Sequence, residues 1–117
     1  MTQTNLHTEV RKPNQDISII DIQGDVTGFA ENALMDAFSQ ASNGSTRAIL
    51  LNFSGLDYMN SSGIGLLVTL LIRTQRQKQK LLACGLSEHY EEIFKLTRLN
   101  EAIGIFADES DALAALL

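Results

Sequence analysis

The fold turns on R-A-I-L-L-N-F-S-G-L-D-Y-M-N-S-S-G-I-G-L-L-V-T-L-L-I-R-T-Q-R, residues Arg47 to Arg76. Ala48 to Phe53 is an apolar run of strand length, Ser54 to Asn60 is polar and turn-rich, and Ile64 to Ile72 is apolar on nearly every face. That succession predicts strand, loop and buried helix. At the join, Asn60-Ser61-Ser62-Gly63 offers three residues that favour helix N-caps, where the first backbone N–H groups lack intrahelical partners. Capping needs only one of the three, so hydroxyls are left over at the positive end of a helix dipole. Gly63 and Gly65 each weaken a helix by about 1 kcal/mol, and close approach of another backbone or a partner would offset that.

Downstream, the helix ends in the polar tail Arg73 to Gln79, and Leu81 to Cys84 forms the next strand. Arg47 to Cys84 is therefore one βαβ unit with a right-handed crossover. Ser87 opens a further helix with Glu88, Glu91 and Glu92 in its early turns and Tyr90, Ile93, Phe94 and Thr97 on its inner side. Leu99 to Glu101 closes it. Ile103 to Ala107 is a short last strand, and Asp108 caps a terminal helix carrying Ala112, Leu113, Ala115 and Leu116.

Upstream, Leu6 to Lys12 alternates weakly and turns at Pro13-Asn14 into the β-branched strand Ile17 to Gln23, an edge hairpin. Gly24-Asp25-Val26-Thr27-Gly28 is expected to end that strand in a polar loop. From Thr27, a candidate cap, Ala30, Ala33, Leu34, Ala37, Phe38 and Ala41 follow helical spacing as far as Asn43-Gly44. The order β-β-α-β-α-β-α-β-α predicts an α/β fold: a mixed, mainly parallel sheet of four to five strands with about four helices.

The 117 residues, 44% of them hydrophobic, suit one domain over residues 1–117 that buries roughly 65% of its unfolded surface. Nine basic against 14 acidic residues give a net charge of -5, which disfavours a general nucleic-acid surface and an anionic membrane. Cys84 stands alone, so an internal disulfide is excluded and a buried apolar role is expected. Met1 to Asn5 lacks the regions of a signal peptide, and Ile64 to Ile72 is far shorter than the ~20 residues that span a bilayer. A soluble, cytoplasmic protein is expected.

Familiar catalytic patterns fail one by one. Met59 occupies the glycine position that a nucleophile elbow at Ser61 would need, and His7 and His89 lie far from it in sequence. Gly63-Ile64-Gly65 starts a dinucleotide fingerprint, but Val68 stands in the third glycine position. One cysteine and two distant histidines form no metal-ligand cluster, and Asp21, Asp25 and Asp57 read as isolated, solvated carboxylates. Arg73, Arg76, Lys78 and Lys80 complement the C-terminal end of the central helix dipole. No catalytic, cofactor or metal site is expected. The surplus hydroxyls fit a phosphoserine switch, since a phosphoryl group adds about -1.5 to -2 charges.

Asp57-Tyr58-Met59-Asn60-Ser61-Ser62-Gly63-Ile64-Gly65-Leu66-Leu67, preceded by Ala48-Ile49-Leu50-Leu51-Asn52-Phe53, resembles the STAS domain of bacterial anti-sigma factor antagonists. The resemblance extends over nearly the whole chain and takes in Gly24, Arg47 and Ser87. It implies a STAS fold and a binding protein that is a substrate of its partner rather than an enzyme. In that family the unphosphorylated antagonist binds an anti-sigma factor, a GHKL-type serine kinase, and so frees the sigma factor. Phosphorylation of the serine matching Ser61 ends the binding, and a PP2C-type phosphatase resets it.

Two positions depart from the family pattern: Asn60 replaces the usual Asp, and Gly24-Asp25-Val26-Thr27 replaces Gly-Glu-Leu-Asp. Asp25, Thr27, Asn60, Ser62, Gly63 and Ile64 are expected to line the surface that meets the kinase, because both loops belong at the C-terminal edge of the sheet. The protein is expected to be a monomer or weak dimer. The alternative is a STAS scaffold or regulatory switch that acts on a non-sigma partner without phosphorylation.

Overall fold

A computed structural model describes residues 5–116. Five strands, β1 (His7–Arg11), β2 (Ile17–Val26), β3 (Ala48–Met59), β4 (Lys80–Cys84) and β5 (Gly104–Phe106), lie in the order β1-β2-β3-β4-β5. Only β1 runs antiparallel, to β2; the other three pairings are parallel. The helices are α1 (Glu31–Ala41), α2 (Ser61–Arg76), α3 (Glu88–Leu96) and α4 (Glu109–Ala114). This is the mixed, mainly parallel sheet with four helices that the pattern of the chain predicts.

The sheet is packed unequally on its two faces. Ile20, Ile22, Ile49, Leu51, Phe53, Leu81 and Ala83 bury one face under Leu34 and Phe38 of α1, Leu67 and Leu70 of α2 and Phe94 of α3. The Phe53 and Phe94 rings meet edge to face, 6.5 Å between centroids, in the favoured aromatic geometry. The opposite face, with Ile19, Leu50, Leu82 and Cys84, is covered by α4 through Ala112, with Leu113 and Leu116 partly buried. One helix of six residues therefore closes a face that three helices close on the other side.

Two expected loops are strand. β2 runs through Gly24 to Val26, and β3 continues past Phe53 to Met59, so Ser54–Met59 is extended rather than a turn-rich loop. The ladder absorbs the turn-forming residues as bulges. Asp21 and Gln23 face Asn52 and Gly55, and Gly24 and Asp25 face Leu56 and Tyr58, one extra residue of β3 at each shift. Gly24 makes this possible with φ +95°, a backbone conformation that favours glycine. β4 pairs with β3 only as far as Asn52–Cys84 and β1 with β2 only as far as His7–Gln23, so beyond these points β2 and β3 continue as a two-stranded parallel ribbon.

Smaller departures have local causes. Thr27 caps a 3-10 turn, Gly28–Ala30, and α1 starts only at Glu31. Thr97 and Ala115 are exposed, not inward; the Thr97 hydroxyl donates to the Ile93 carbonyl (2.8 Å). His7 belongs to β1, within the expected edge strand. Ser87 and Asp108 cap α3 and α4, accepting from the backbone N–H groups of Tyr90 (3.4 Å) and Asp111 (2.9 Å).

Candidate functional site

At the outer end of the ribbon the chain turns from Met59 directly into α2. Asn60 is the N-cap: it is extended (φ -102°, ψ -176°), and its Oδ1 accepts from the Gly63 N–H at 2.9 Å. Its own N–H donates to the Val26 carbonyl (3.2 Å), which ties the start of α2 to the end of β2. The Met59 N–H donates to the Tyr90 hydroxyl (2.8 Å), which ties the same junction to α3. Three elements thus fix the backbone on either side of one peptide bond.

Gly63 is buried, and a Cβ there would lie 2.1 Å from the Val26 carbonyl oxygen. The close approach anticipated for the two glycines is therefore real at Gly63. Around Gly65 a Cβ would meet nothing within 4 Å, and that residue is exposed.

With Asn60 filling the cap, Ser61 and Ser62 take the first two helical positions, where N–H groups have no intrahelical acceptor. Both residues are exposed, and neither hydroxyl makes a hydrogen bond among the described residues. Ser62 faces Gly28, where an added Cβ would sit 3.5 Å from the Ser62 Cβ.

Asp25 pairs in register with Tyr58 and accepts from the Asn5 amide (3.3 Å), while the Thr27 hydroxyl accepts from the Phe29 N–H (3.3 Å). Ile64 is partly buried against the main core. The structure thus gathers Asp25, Thr27 and Asn60 to Ile64 at one end of the sheet. It adds two residues that periodicity did not single out, Phe29 (65% exposed) and Tyr58 (51% exposed). Val68 and Ile72 continue the exposed apolar surface down α2. Exposed aromatics beside turn residues were visible in the sequence, but the reading of Ser54–Asn60 as a loop hid Tyr58.

The chain has no Lys or Arg between Lys12 and Arg47, or between Arg47 and Arg73. His7 lies in β1, opposite Gln23, and His89 meets the Tyr90 ring edge to face, 4.9 Å between centroids. Among the described residues no group of three His, Cys, Asp or Glu side chains could hold a metal ion. No helix there is long and apolar enough to cross a membrane.

The charged cluster lies elsewhere, on the α4 face of the sheet, and corrects the reading of Asp21 as a solvated carboxylate. Arg11 Nε donates to Asp21 Oδ2 (2.6 Å) and Nη2 to Asp21 Oδ1 (2.8 Å) and Glu109 Oε1 (2.6 Å). Asn52 Nδ2 completes Asp21 at 2.8 Å, and its Oδ1 is 3.6 Å from Cys84 Sγ. The hydrogen bonds from Arg11, joined by that from Asn52, hold the Asp21 carboxyl below its ordinary range against the opposing effect of burial. Burial, with Glu109 and Asp108 nearby, pushes the Cys84 thiol up to about 11, so it stays protonated and unreactive. The line runs across β1, β2, β3 and β4 and anchors α4; its role is structural.

The α/β domain thus presents, at one end of its sheet, a capped helix start with two exposed serines, and Phe29 and Tyr58 are exposed at the same end. Residues 9–112 match the family model of the STAS domain, and the chain belongs to that family. Among solved structures it is similar to an anti-sigma factor antagonist from Mycobacterium paratuberculosis, 18% identical over 95% of this chain and 93% of that one, TM-score 0.81. It is similar to the Bacillus cell fate determinant SpoIIAA in its phosphorylated form, 20% identical over 95% and 100%, TM-score 0.74. A sulfate transporter family protein from Wolinella succinogenes also shares the fold, 18% identical over 85% and 83%, TM-score 0.73.

Proposed function

We propose that this chain is an anti-sigma factor antagonist. Its unphosphorylated form binds an anti-sigma factor that is also a GHKL-type serine kinase, and the sigma factor is released. Phosphorylation of Ser61 ends the binding, and a PP2C-type phosphatase restores it. On this reading the protein is a substrate and binder in the cytoplasm, a monomer or weak dimer, and not an enzyme. Asp25, Thr27, Asn60, Ser62, Gly63 and Ile64 form the contact surface, joined by Phe29 and Tyr58.

The observation that carries the proposal is the division of labour at the start of α2. Asn60 caps the helix, and Ser61 stands exposed with its hydroxyl making no hydrogen bond among the described residues. A phosphoryl group there gains about 0.3 to 1 kcal/mol from the helix dipole, so the domain tolerates it. With no Lys or Arg in the flanking segments to fold the new charge back, it faces outward among Phe29, Tyr58 and Val68. A partner pressed on that surface would bury an unpaired charge, which costs several kcal/mol. At about 1.4 kcal/mol per tenfold, binding drops by two orders of magnitude or more.

Incubation with the cognate kinase and ATP, followed by mass spectrometry, is expected to place one phosphate on Ser61. Phosphate on Ser62 or Thr69 instead would sink the site assignment. Ser61→Ala is expected to block phosphorylation and keep binding, and Ser61→Asp to weaken binding.

A second reading, a scaffold or regulatory switch acting on a non-sigma partner without phosphorylation, is favoured by the likeness to the sulfate transporter family protein and by neutral Asn60 before Ser61. Phosphate-affinity gels of cell extracts that show one unshifted band under every growth condition would support it.

A further inference from the structure

The opposite end of the sheet reverses the character of the Ser61 end. There the β1–β2 turn, the α1–β3 loop and the turn after α2 come together around open clefts of about 590, 510 and 450 Å³ that share Asn14, Ser45, Arg47 and Lys78 among their walls. Lys12, Arg47, Lys78 and Lys80 line these clefts and Arg76 ends α2 beside them, with Asp16 the acidic residue on their walls. The remainder of an acidic chain is correspondingly more negative. Arg47 has Asp16 at 3.8 Å, with both side chains largely exposed, a weak pair; Arg76, Lys78 and Lys80 make no ion pair among the described residues. Arg73, grouped with them by sequence, is otherwise engaged: it lies over the Phe38 ring, 4.7 Å from the centroid.

The scaffold under these cations is fixed. Gln79 is buried and its Nε2 donates to Ser42 Oγ (2.9 Å) and to the Thr46 carbonyl (3.2 Å), while Ser42 Oγ donates to Gln77 Oε1 (2.7 Å). These bonds lock the turn after α2 onto the α1–β3 loop. Lys78 within that turn has φ +59°, the left-handed region that favours glycine, yet the chain places a cation there. The 450 Å³ cleft is lined by three cations, Arg47, Lys78 and Lys80, against one carboxylate, Asp16, with Asn14 beside it and with Ile17, Ala48 and Leu116 as its apolar part.

We propose that this cleft is a second docking surface, and that its occupant is an acidic peptide segment of another protein with an apolar side chain between its carboxylates. The cations meet the carboxylates and the apolar part takes the apolar side chain. A nucleic acid fits less well: no aromatic side chain lines the cleft to stack on a base, and the negative remainder of the protein repels an extended polyanion. A cleft of this volume is the size of a short segment.

The test is fluorescence anisotropy of the full chain with a labelled Glu-Glu-Leu-Glu-Glu peptide at physiological salt. A Glu-Glu-Ser-Glu-Glu peptide, a thymidine pentanucleotide and inorganic phosphate serve as parallel probes, and amide chemical shifts locate the site. The proposal expects binding of the leucine peptide with shifts at residues 14–17, 46–48 and 77–80, weaker binding of the other three probes, and an affinity loss of about tenfold on Lys78→Glu with Lys80→Glu. Lys78→Gly is expected to weaken binding about threefold while raising the melting temperature, which separates the charge from the fold. Equal binding of the oligonucleotide, of phosphate or of the serine peptide, shifts elsewhere, or indifference to the double substitution would each overturn it. A wild-type dimer in sedimentation that the double substitution dissolves would assign the face to a second copy of the chain and overturn it equally.

Discussion

The start of α2 and the Arg11–Asp21 cluster are both junctions between distant pieces of chain, and they are built from opposite materials. At the start of α2, Asn60, Gly63, Val26 and Tyr90 meet through neutral hydrogen bonds and a backbone approach that only glycine permits. On the other face, Arg11, Asp21, Glu109 and Asn52 meet through charge. The first junction is indifferent to pH and salt; the second is sensitive to both. On the proposed function, the difference has a purpose: a phosphate that arrives as a signal meets a junction held by no ion pair among the described residues.

The comparison can be broken most directly at Gly63. Gly63→Ala brings a Cβ against the Val26 carbonyl oxygen, so the strand or helix must shift, and a loss of about 3 kcal/mol in urea unfolding is expected, equal at pH 5 and pH 8. A pH-dependent loss would mean that titrating groups reach this junction after all.

Asn60→Ala removes the cap and is expected to cost about 1 kcal/mol, again without pH dependence. Asp21→Asn tests the charged junction. Because Arg11 is 39% exposed on its side chain, the loss is discounted for solvent to roughly 0.5 to 1 kcal/mol at neutral pH. Its sign with pH follows from the lowered carboxyl: the folded protein holds Asp21 ionised more tightly than the unfolded chain does. The contribution is therefore full above the ordinary carboxylate range and is lost as pH falls through the depressed value, so wild type and Asp21→Asn converge in stability in acid.

The smallest effect is expected for Ser61→Asp: a change within about 0.5 kcal/mol in unfolding free energy, despite its effect on partner binding. A large destabilisation would show that the hydroxyl has a structural duty.

What could be read from the chain follows the range of the interactions involved. The order of elements and the caps at Asn60, Ser87 and Asp108 rest on residues three or four apart, and the structure has them where the sequence put them. The extent of β3 was misjudged because Ser54-Gly55 reads as a turn in isolation. It becomes strand only where β2, carrying Gly24, runs alongside and accepts two bulges. Asp21 was misjudged because its partners, Arg11 across the β1–β2 pairing and Asn52 on β3, come beside it only when the sheet forms. Within the candidate site, Asp25 and Thr27 were reachable through the topology of parallel strands, whereas Phe29 and Tyr58 depended on side-chain exposure that no spacing encodes.

The ribbon formed by the outer halves of β2 and β3 gives the sheet two tiers of hydrogen exchange. Amides of Ala48–Asn52, clamped between β2 and β4, open only when the whole sheet does. Beyond Asn52, β3 has a strand partner on one side alone, so residues 54–59 exchange through fraying that leaves the core intact. Ser61 follows the end of that tier, where the bonds from Met59 to Tyr90 and from Asn60 to Val26 pin the ribbon again, so fraying is confined between two fixed ends.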